Sequence, residues 1–254
     1  MNFNHLLSNF DLTAIQWVAV FFAFFLLGHS KSGIKGIGII IVVILALVFT
    51  EKASTGILLP MLIFADILAV TYYRRHVKWK YIKKLIPWMV LGVLLGVWIG
   101  NHISAGLFKK LMAVIIIVSV VIMFYFDKKS GIKIPDNTLF SSTTGLLAGF
   151  STMIGNLAGP ISNVYFLAMR LPKNEFIGTA AWLFFIINIF KLPFHIFIWK
   201  TVSKETLLFN LTQIPAVVLG FGTGVALVKL ISNTKYRKFI LIVTALGGLL
   251  LFFR

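Results

Sequence analysis

The sequence predicts an all-α, polytopic membrane protein, and three observations support that fold class. Of the 254 residues, 59% are hydrophobic and 12% are charged, and the mean hydropathy is +0.97. A soluble domain has about 25% charged residues, so too few polar side chains remain here to cover a surface that faces water. The apolar residues also fall into long runs, and about 20 mainly apolar residues make one membrane span. This composition excludes a soluble enzyme, a nucleic-acid-binding domain and a disordered chain.

The apolar runs form two sets of five, and we predict that they build a single transmembrane domain over residues 1–254. Repeat 1 occupies residues 13–126 and repeat 2 occupies residues 137–254, with a polar linker between them. The first two runs of each repeat are short for a full span, so each repeat is predicted to begin with short broken or re-entrant helices. The runs are Thr13–Gly28, Gly36–Phe49, Ala53–Tyr73, Leu85–Ile103 and Leu107–Phe126, then Leu139–Phe150, Leu157–Met169, Phe176–Trp199, Leu207–Leu230 and Phe239–Phe253.

The two repeats align with each other, which indicates an internal duplication. With an offset of 122 residues, the matched pairs are Gly33 and Gly155, Gly56 and Gly178, and Asp66 and Asn188. After a loop that is six residues longer in repeat 2, the matched pairs are Pro87 and Pro215, Gly92 and Gly220, and Gly96 and Gly224. Single matches among glycines are common in apolar sequence. The ordered set with one main shift is what favours a duplication.

The distribution of basic residues predicts that the repeats are inverted. Lys and Arg number 24 against seven acids, which gives a formal charge of +17. If the two short segments of each repeat add no net crossing, each repeat crosses the membrane an odd number of times. With Arg74–Lys84 in the cytoplasm, 17 basic residues then lie inside and six outside, whereas parallel repeats give about 12 against 9. The positive-inside rule therefore favours inversion. We interpret the basic excess as a topology signal of a protein in the lipid bilayer, and we expect no nucleic-acid partner.

Inverted repeats with short, Gly-interrupted segments at matching positions are typical of secondary transporters. A helix broken within the membrane frees N–H and C=O groups that lipid cannot satisfy, and the N-terminus of a half-helix can hold an anion. The two bridges, GHSKSGIKGIG and GFSTMIGNLAGP, are therefore the leading site candidates. The alternative is that their glycines serve helix packing and their lysines set topology. The candidate substrate-binding residues of the bridges are Ser30, Lys31, Ser32, Gly33, Lys35, Ser151, Thr152, Gly155, Asn156 and Gly159.

Asp66 is the only acid inside an apolar run, and Lys191 is the only lysine deep within one. A carboxylate at membrane depth must be paired, hydrated or protonated. If the halves pack around a pseudo-two-fold axis, Asp66 and Lys191 could approach each other. One hypothesis makes Asp66 a proton-coupling group, with Lys191 and nearby Asn188 as substrate contacts. A structural ion pair, or a Lys191 side chain that extends to the membrane surface, remains an alternative.

Two histidines complete the candidates for proton coupling. His29 lies in the first bridge, and His195 lies one helical turn after Lys191, on a similar face. A hydrogen-bonded packing role is the alternative for His195. With no Cys and seven acids, we expect no disulfide, metal or cofactor, and known enzyme and ATP-binding motifs are absent from the sequence.

Residues 145–196, GLLAGFSTMIGNLAGPISNVYFLAMRLPKNEFIGTAAWLFFIINIFKLPFHI, closely resemble the second half of the TauE/SafE family of membrane transporters. The first half resembles that family's weaker repeat in GHSKSGIKGIG and in LLPMLIFADILAVTYYRRHVKW. The resemblance implies a multi-pass protein of the bacterial inner (plasma) membrane. It also implies export of a small anion such as sulfite or a sulfonate, for example sulfoacetate, coupled to protons.

We therefore predict a secondary transporter that works by alternating access and is not an enzyme. An anion channel without coupling is one alternative, and a non-transport subunit of a membrane complex is another. A homodimer is one open possibility for its oligomeric state.

Overall fold

In the computed structural model, all regular structure is helical in the part of the chain that is described, which comprises residue 10 and residues 12–128, 137–232 and 235–236. The predicted run Phe239–Phe253 lies outside these residues. Two of the helices are prolonged by a 3₁₀ turn at Arg74–His76 and by a π-helical turn at Phe194–Ile198. The α-helices are α1 (Ala14–Ser32), α2 (Gly38–Val48), α3 (Glu51–Tyr73), α4 (Trp79–His102), α5 (Ala105–Lys128), α6 (Thr138–Gly155), α7 (Ala158–Ala168), α8 (Lys173–Pro193) and α9 (Lys204–Leu230).

The lengths of the helices fit a membrane protein. Within the described residues, five helices are long and apolar enough to cross a membrane, namely Ala14–Ser32, Glu51–His76, Trp79–His102, Lys173–Ile198 and Lys204–Leu230. Helices α2 and α7 have 11 residues each. At 1.5 Å per residue each is about 16 Å long and cannot cross a hydrocarbon core of about 30 Å. The predicted all-α polytopic membrane fold, with short helices near the start of each repeat, is confirmed.

The breaks between helices are shorter than the sequence predicts. Helix α1 continues to Ser32, and helix α6 continues to Gly155. The hydroxyls of Ser32 and Ser151 donate to the carbonyl oxygens three residues earlier, at 2.8 and 3.1 Å. Because these hydroxyls are hydrogen-bonded within their own helix, they are compatible with helix at these positions. Only residues 33–37 separate α1 from α2, and only Asn156 and Leu157 separate α6 from α7.

Each break begins at a residue with positive φ. Gly33 has a φ of 128°, and Asn156 has a φ of 56°, in the left-handed region. Glycine and asparagine are the residues that most readily end a helix in this way. The N–H of Asn156 still reaches the carbonyl of Thr152 at 3.0 Å, so the last turn of α6 stays hydrogen-bonded up to the break.

The helices of the two repeats pack reciprocally. Helix α1 of repeat 1 packs along α9 of repeat 2, and helix α6 of repeat 2 packs along α4 of repeat 1. The central contact joins α3 and α8. In the alignment of the repeats, α1 matches α6, α3 matches α8 and α4 matches α9, so exchanging the two repeats exchanges these contacts. The opposite orientation of the repeats in the membrane remains a prediction.

Matched glycines bring these helices close together. A Cβ added at Gly220 of α9 would overlap the carbonyl oxygen of Phe25 in α1, and a Cβ added at Gly92 of α4 would overlap that of Leu146 in α6. Small residues at such positions allow backbones to approach within a membrane. A glycine at a matched position therefore allows close packing in both reciprocal helix contacts.

The variant Gly220→Ala is expected to lower the free energy of unfolding by about 1–3 kcal/mol. The measurement is the melting temperature of the purified protein in detergent, which should fall. The added methyl group meets a backbone oxygen, which cannot turn aside as a flexible side chain can. The control is Gly222→Ala on the same helix, where nothing lies within 4 Å of an added Cβ. That variant should be neutral, or gain up to about 1 kcal/mol of helix propensity. Equal losses in the two variants would contradict the close contact between α1 and α9.

Candidate functional site

A cavity of about 70 Å³ lies between the two helix breaks. A polar cavity needs about 10–15 Å³ on this scale to hold one water, so this one has room for several waters or a small anion. Leu58 and Leu62 of α3 and Phe184 of α8 supply apolar walls. The polar side chains that line it are Ser30, Lys31, Lys35, Thr152, Asn156, Asn163 and Asn188.

The first turns of both short helices face this cavity. Gly38 of α2 and Ala158 and Gly159 of α7 belong to its lining. The residues that precede these helices, Ile37 and Leu157, make no side-chain cap. The first N–H groups of a helix have no partner within it, and they lie at the positive end of its dipole. Both helix starts therefore offer the cavity uncapped N–H donors.

A buried ion pair lies at the centre of the site. The Lys31 ammonium donates to Asp66 Oδ1 at 2.6 Å, and the Asn188 amide donates to Asp66 Oδ2 at 2.7 Å. Asp66 is fully buried, and the side chain of Lys31 is 7% exposed. The carboxylate thus connects α1, α3 and α8. The direct pair of Asp66 with Lys191 that the sequence suggested does not form, because the Lys191 ammonium donates to Thr152 and Asn156 instead.

Asp66 and Asn188 are matched positions of the two repeats, and they are in direct contact. Two residues that are exchanged by a two-fold operation can touch only near its axis. The contact therefore fits a pseudo-two-fold axis that passes beside the cavity. One partner is a carboxylate and the other an amide, so the two halves of the site carry different charge.

Lys191 supports the second break instead. Its ammonium donates to the carbonyl and hydroxyl oxygens of Thr152, both at 3.0 Å, and to Asn156 Oδ1 at 2.7 Å. An ammonium has three N–H groups, so these bonds occupy all of them. A cation at the C-terminal end of α6 is also favoured by the helix dipole. Asn156 in turn donates from its amide to the carbonyl of Thr55, at 3.0 Å, which ties the break to α3.

Lys35 has donors to spare and is not committed to a carboxylate. It lies in the first break, and only 4% of its surface is exposed. Among the described residues its ammonium makes one hydrogen bond, at 3.3 Å to the carbonyl of Ser30. The ring of Phe184 lies 5.9 Å from this ammonium and 5.0 Å from that of Lys31. Lys35 can therefore direct further N–H groups into the cavity.

The buried charges of the described residues do not cancel. Three lysines, Lys31, Lys35 and Lys191, face one carboxylate, Asp66. With these groups ionised, the surroundings of the cavity carry a net charge of +2. An uncompensated charge in an apolar environment is costly, so the site favours a bound anion.

A polar side chain missed by the sequence analysis adds to this lining. Asn163 of α7 is buried, and its Oδ1 makes no hydrogen bond with any described residue. Its amide can turn about its last bond, so either its N–H₂ or its oxygen can face a ligand. The signal in the sequence was an asparagine inside the apolar run Leu157–Met169.

The remaining bridge candidates shape the breaks and do not line the cavity. The carbonyls of Ser32 and Gly33 accept hydrogen bonds from the hydroxyls of Tyr73 and Tyr236, at 2.7 and 2.6 Å. Ser151 donates to main-chain carbonyls, and Gly155 packs on Leu157. The two tyrosines were not predicted as part of the site.

Both candidate histidines lie away from the cavity lining. The His29 ring approaches the carbonyl of Phe25 at 3.1 Å and the hydroxyl of Thr223 at 3.3 Å, in the contact between α1 and α9. His195 lies in the π-helical turn, where its Nδ1 is 2.8 Å from the hydroxyl of Thr201. These contacts favour the packing role, and a role of either histidine in proton coupling remains a prediction.

Membrane-length helices, two broken helices and a buried cationic cavity between them together define a membrane transporter. The family model for "Sulfite exporter TauE/SafE" matches residues 20–251, and the chain belongs to this family. The match covers nearly the whole chain, which confirms the resemblance found in the sequence. No curated protein and no solved structure matches the chain in the corresponding comparisons.

Proposed function

We propose that this protein exports a small anion across the bacterial inner membrane and binds it in the cavity between the two breaks. Sulfite or a sulfonate such as sulfoacetate is the substrate class, as the family suggests. The observation that carries the proposal is the net positive charge around the cavity, three buried lysines against one carboxylate. A site built for a cation would need the opposite balance.

The anion has donors on several sides of the cavity. Lys35 supplies an ammonium with free N–H groups, and the starts of α2 and α7 supply backbone N–H groups. Asn163 supplies an amide that is otherwise incompletely bonded. A sulfite ion or a sulfonate head group has three oxygens, which these donors can share. The cavity volume of about 70 Å³ suits a group of this size.

Proton coupling follows from competition for Lys31. Asp66 and a bound anion both attract this ammonium, and Lys31 cannot pair fully with both. A proton on Asp66 weakens its hold on Lys31 and frees the ammonium for the anion. The other charged groups near Asp66 are Lys35 and Lys191, both cationic, so a protonated Asp66 leaves more positive charge for the anion. Anion and proton therefore bind cooperatively and cross in the same direction. Export is then driven by the outward gradient of the anion, and an imposed inward proton gradient drives uptake through the same cycle.

Alternating access would move one set of helices against the other around this cavity. The hydrogen bonds of Tyr73 and Tyr236 tie the first break to other parts of the chain, and the bond from Asn156 to Thr55 ties the second break to α3. Because the two groups of bonds lie at different breaks, one group can be broken during the movement while the other stays formed. A channel would need both to be open together.

The variant Lys35→Gln is expected to weaken anion binding roughly tenfold to a hundredfold, because it removes a charge-assisted donor from the cavity. Binding is measured as the rise in melting temperature of the purified protein with sulfite, sulfate, sulfonates and carboxylates, since a ligand of the folded state stabilises it. The control is Lys110→Gln, which removes one exposed charge at the start of α5. If Lys35→Gln binds like the wild type, the cavity is not the anion site.

The variant Asp66→Asn is expected to abolish the pH dependence of sulfonate transport. In the wild type, binding and proton-driven uphill flux should weaken as pH rises, since Asp66 then keeps Lys31. In the variant, Lys31 is released at every pH, so binding persists and uphill flux is lost. The assay is flux into liposomes under an imposed proton gradient, with a sulfonate because it stays ionised across the neutral range.

The matched control for this assay is Glu175→Gln, which removes a partly exposed acid paired with Lys78 at 2.9 Å. It should keep the wild-type profile. Unchanged pH dependence in Asp66→Asn would refute the coupling role of Asp66. Flux that only dissipates the gradient in the wild type would identify a channel, and no flux from the purified chain would favour a subunit of a larger complex.

A further inference from the structure

A second cationic feature lies outside the cavity, where α3 ends. An open groove of about 720 Å³ lies there between the end of α3, its 3₁₀ turn and α9. Arg74, Arg75 and His76 form its polar side, and Leu68 of α3 and Phe221 of α9 contribute apolar surface. We propose that this groove binds an anionic phospholipid, with its phosphate at the arginines and an acyl chain along the apolar wall.

The charge of the groove is uncompensated within the described residues. No acid lines it, and neither Arg74 nor Arg75 forms an ion pair with the described part of the chain. Lys229, in the last turn of α9, adds a further ammonium 6.0 Å from the ring centroid of Tyr72. A guanidinium group can donate two parallel N–H bonds to two oxygens of one phosphate. Two adjacent arginines are therefore well suited to bind a phosphate ester.

The position of the groove fits a lipid better than a free phosphate. The helical stretch Glu51–His76 has 26 residues and is about 39 Å long, which exceeds a hydrocarbon core of about 30 Å. Its end therefore reaches the level of the lipid head groups. Tyr72 is 47% exposed and meets Phe221 edge to face, with ring centroids 6.2 Å apart. An amphipathic aromatic residue at this level, above an apolar wall, matches a ligand with a charged head and an apolar tail.

The proposal differs from a general attraction of basic loops to anionic membranes. General attraction depends on the number of charges near the surface, and each basic residue contributes similarly. A site requires these two arginines and this apolar wall. Removing the same number of charges elsewhere should then leave binding intact. The proposal is also independent of the transported anion, because the groove and the cavity share no lining residue.

The test compares phosphatidylglycerol, phosphatidylcholine with the same acyl chains, and inorganic phosphate, each titrated into the purified full-length protein in detergent. Retention of lipid is read by native mass spectrometry and stabilisation by the melting temperature. The wild type should bind phosphatidylglycerol preferentially, and phosphate alone should not stabilise it. The double variant Arg74→Gln/Arg75→Gln should bind phosphatidylglycerol roughly tenfold more weakly or worse, with unchanged affinity for phosphatidylcholine.

The matched control is Lys83→Gln/Lys110→Gln, which removes two exposed charges outside the groove. It should retain wild-type affinity for phosphatidylglycerol. Equal losses in the two double variants would overturn the site in favour of general charge attraction. Equal stabilisation by inorganic phosphate would overturn the lipid as occupant, and so would stabilisation by polyglutamate in the absence of lipid. Both double variants alter exposed side chains, and their lipid-free melting temperatures check that they fold.

Discussion

The ion pair between Lys31 and Asp66 is the interaction on which the rest of the site depends. It joins α1 to α3, and Asn188 extends it to α8. Removing one partner of a buried pair costs about 3–5 kcal/mol, because the other charge is left without compensation. The three helices are therefore held at one point, where matched residues of the two predicted repeats meet. The cavity lies against this point, so any anion that enters it changes the balance of the pair.

The same residues meet a structural need and a functional one. A helix break inside a membrane frees main-chain groups, and here side chains satisfy many of them: Lys191 bonds the end of α6, and two tyrosine hydroxyls bond the end of α1. These contacts satisfy carbonyl oxygens at the C-terminal ends of α1 and α6. The helix starts that face the cavity remain uncapped. The backbone N–H groups at these helix starts are thus left for a ligand, while the carbonyl groups at the preceding helix ends are bonded by protein.

The sequence predicts the fold well, because length and hydropathy are local properties, and it indicates the two breaks that flank the candidate cavity. The short helices α2 and α7 and the match of Asp66 with Asn188 could be found without a structure. The partner of Asp66 could not, because Lys31 and Lys191 are equally plausible until the directions of their side chains are known. Ser30 to Ser32 and Ser151 to Thr152 were expected in the bridges between helices, since hydroxyl bonds to the preceding turn cannot be read from composition. Tyr73, Tyr236 and Asn163 join the site only through tertiary packing.

The central claim is that an anion binds between the two breaks, against Lys35 and Lys31. The most direct test is a crystal structure of the protein with selenite, a heavier analogue of sulfite whose selenium can be located by anomalous scattering. The account predicts one strong anomalous peak in the cavity, within hydrogen-bonding reach of Lys35 and of the first residues of α7. Selenite bound only at the protein surface, with the cavity free of anomalous signal at saturating concentration, would contradict it.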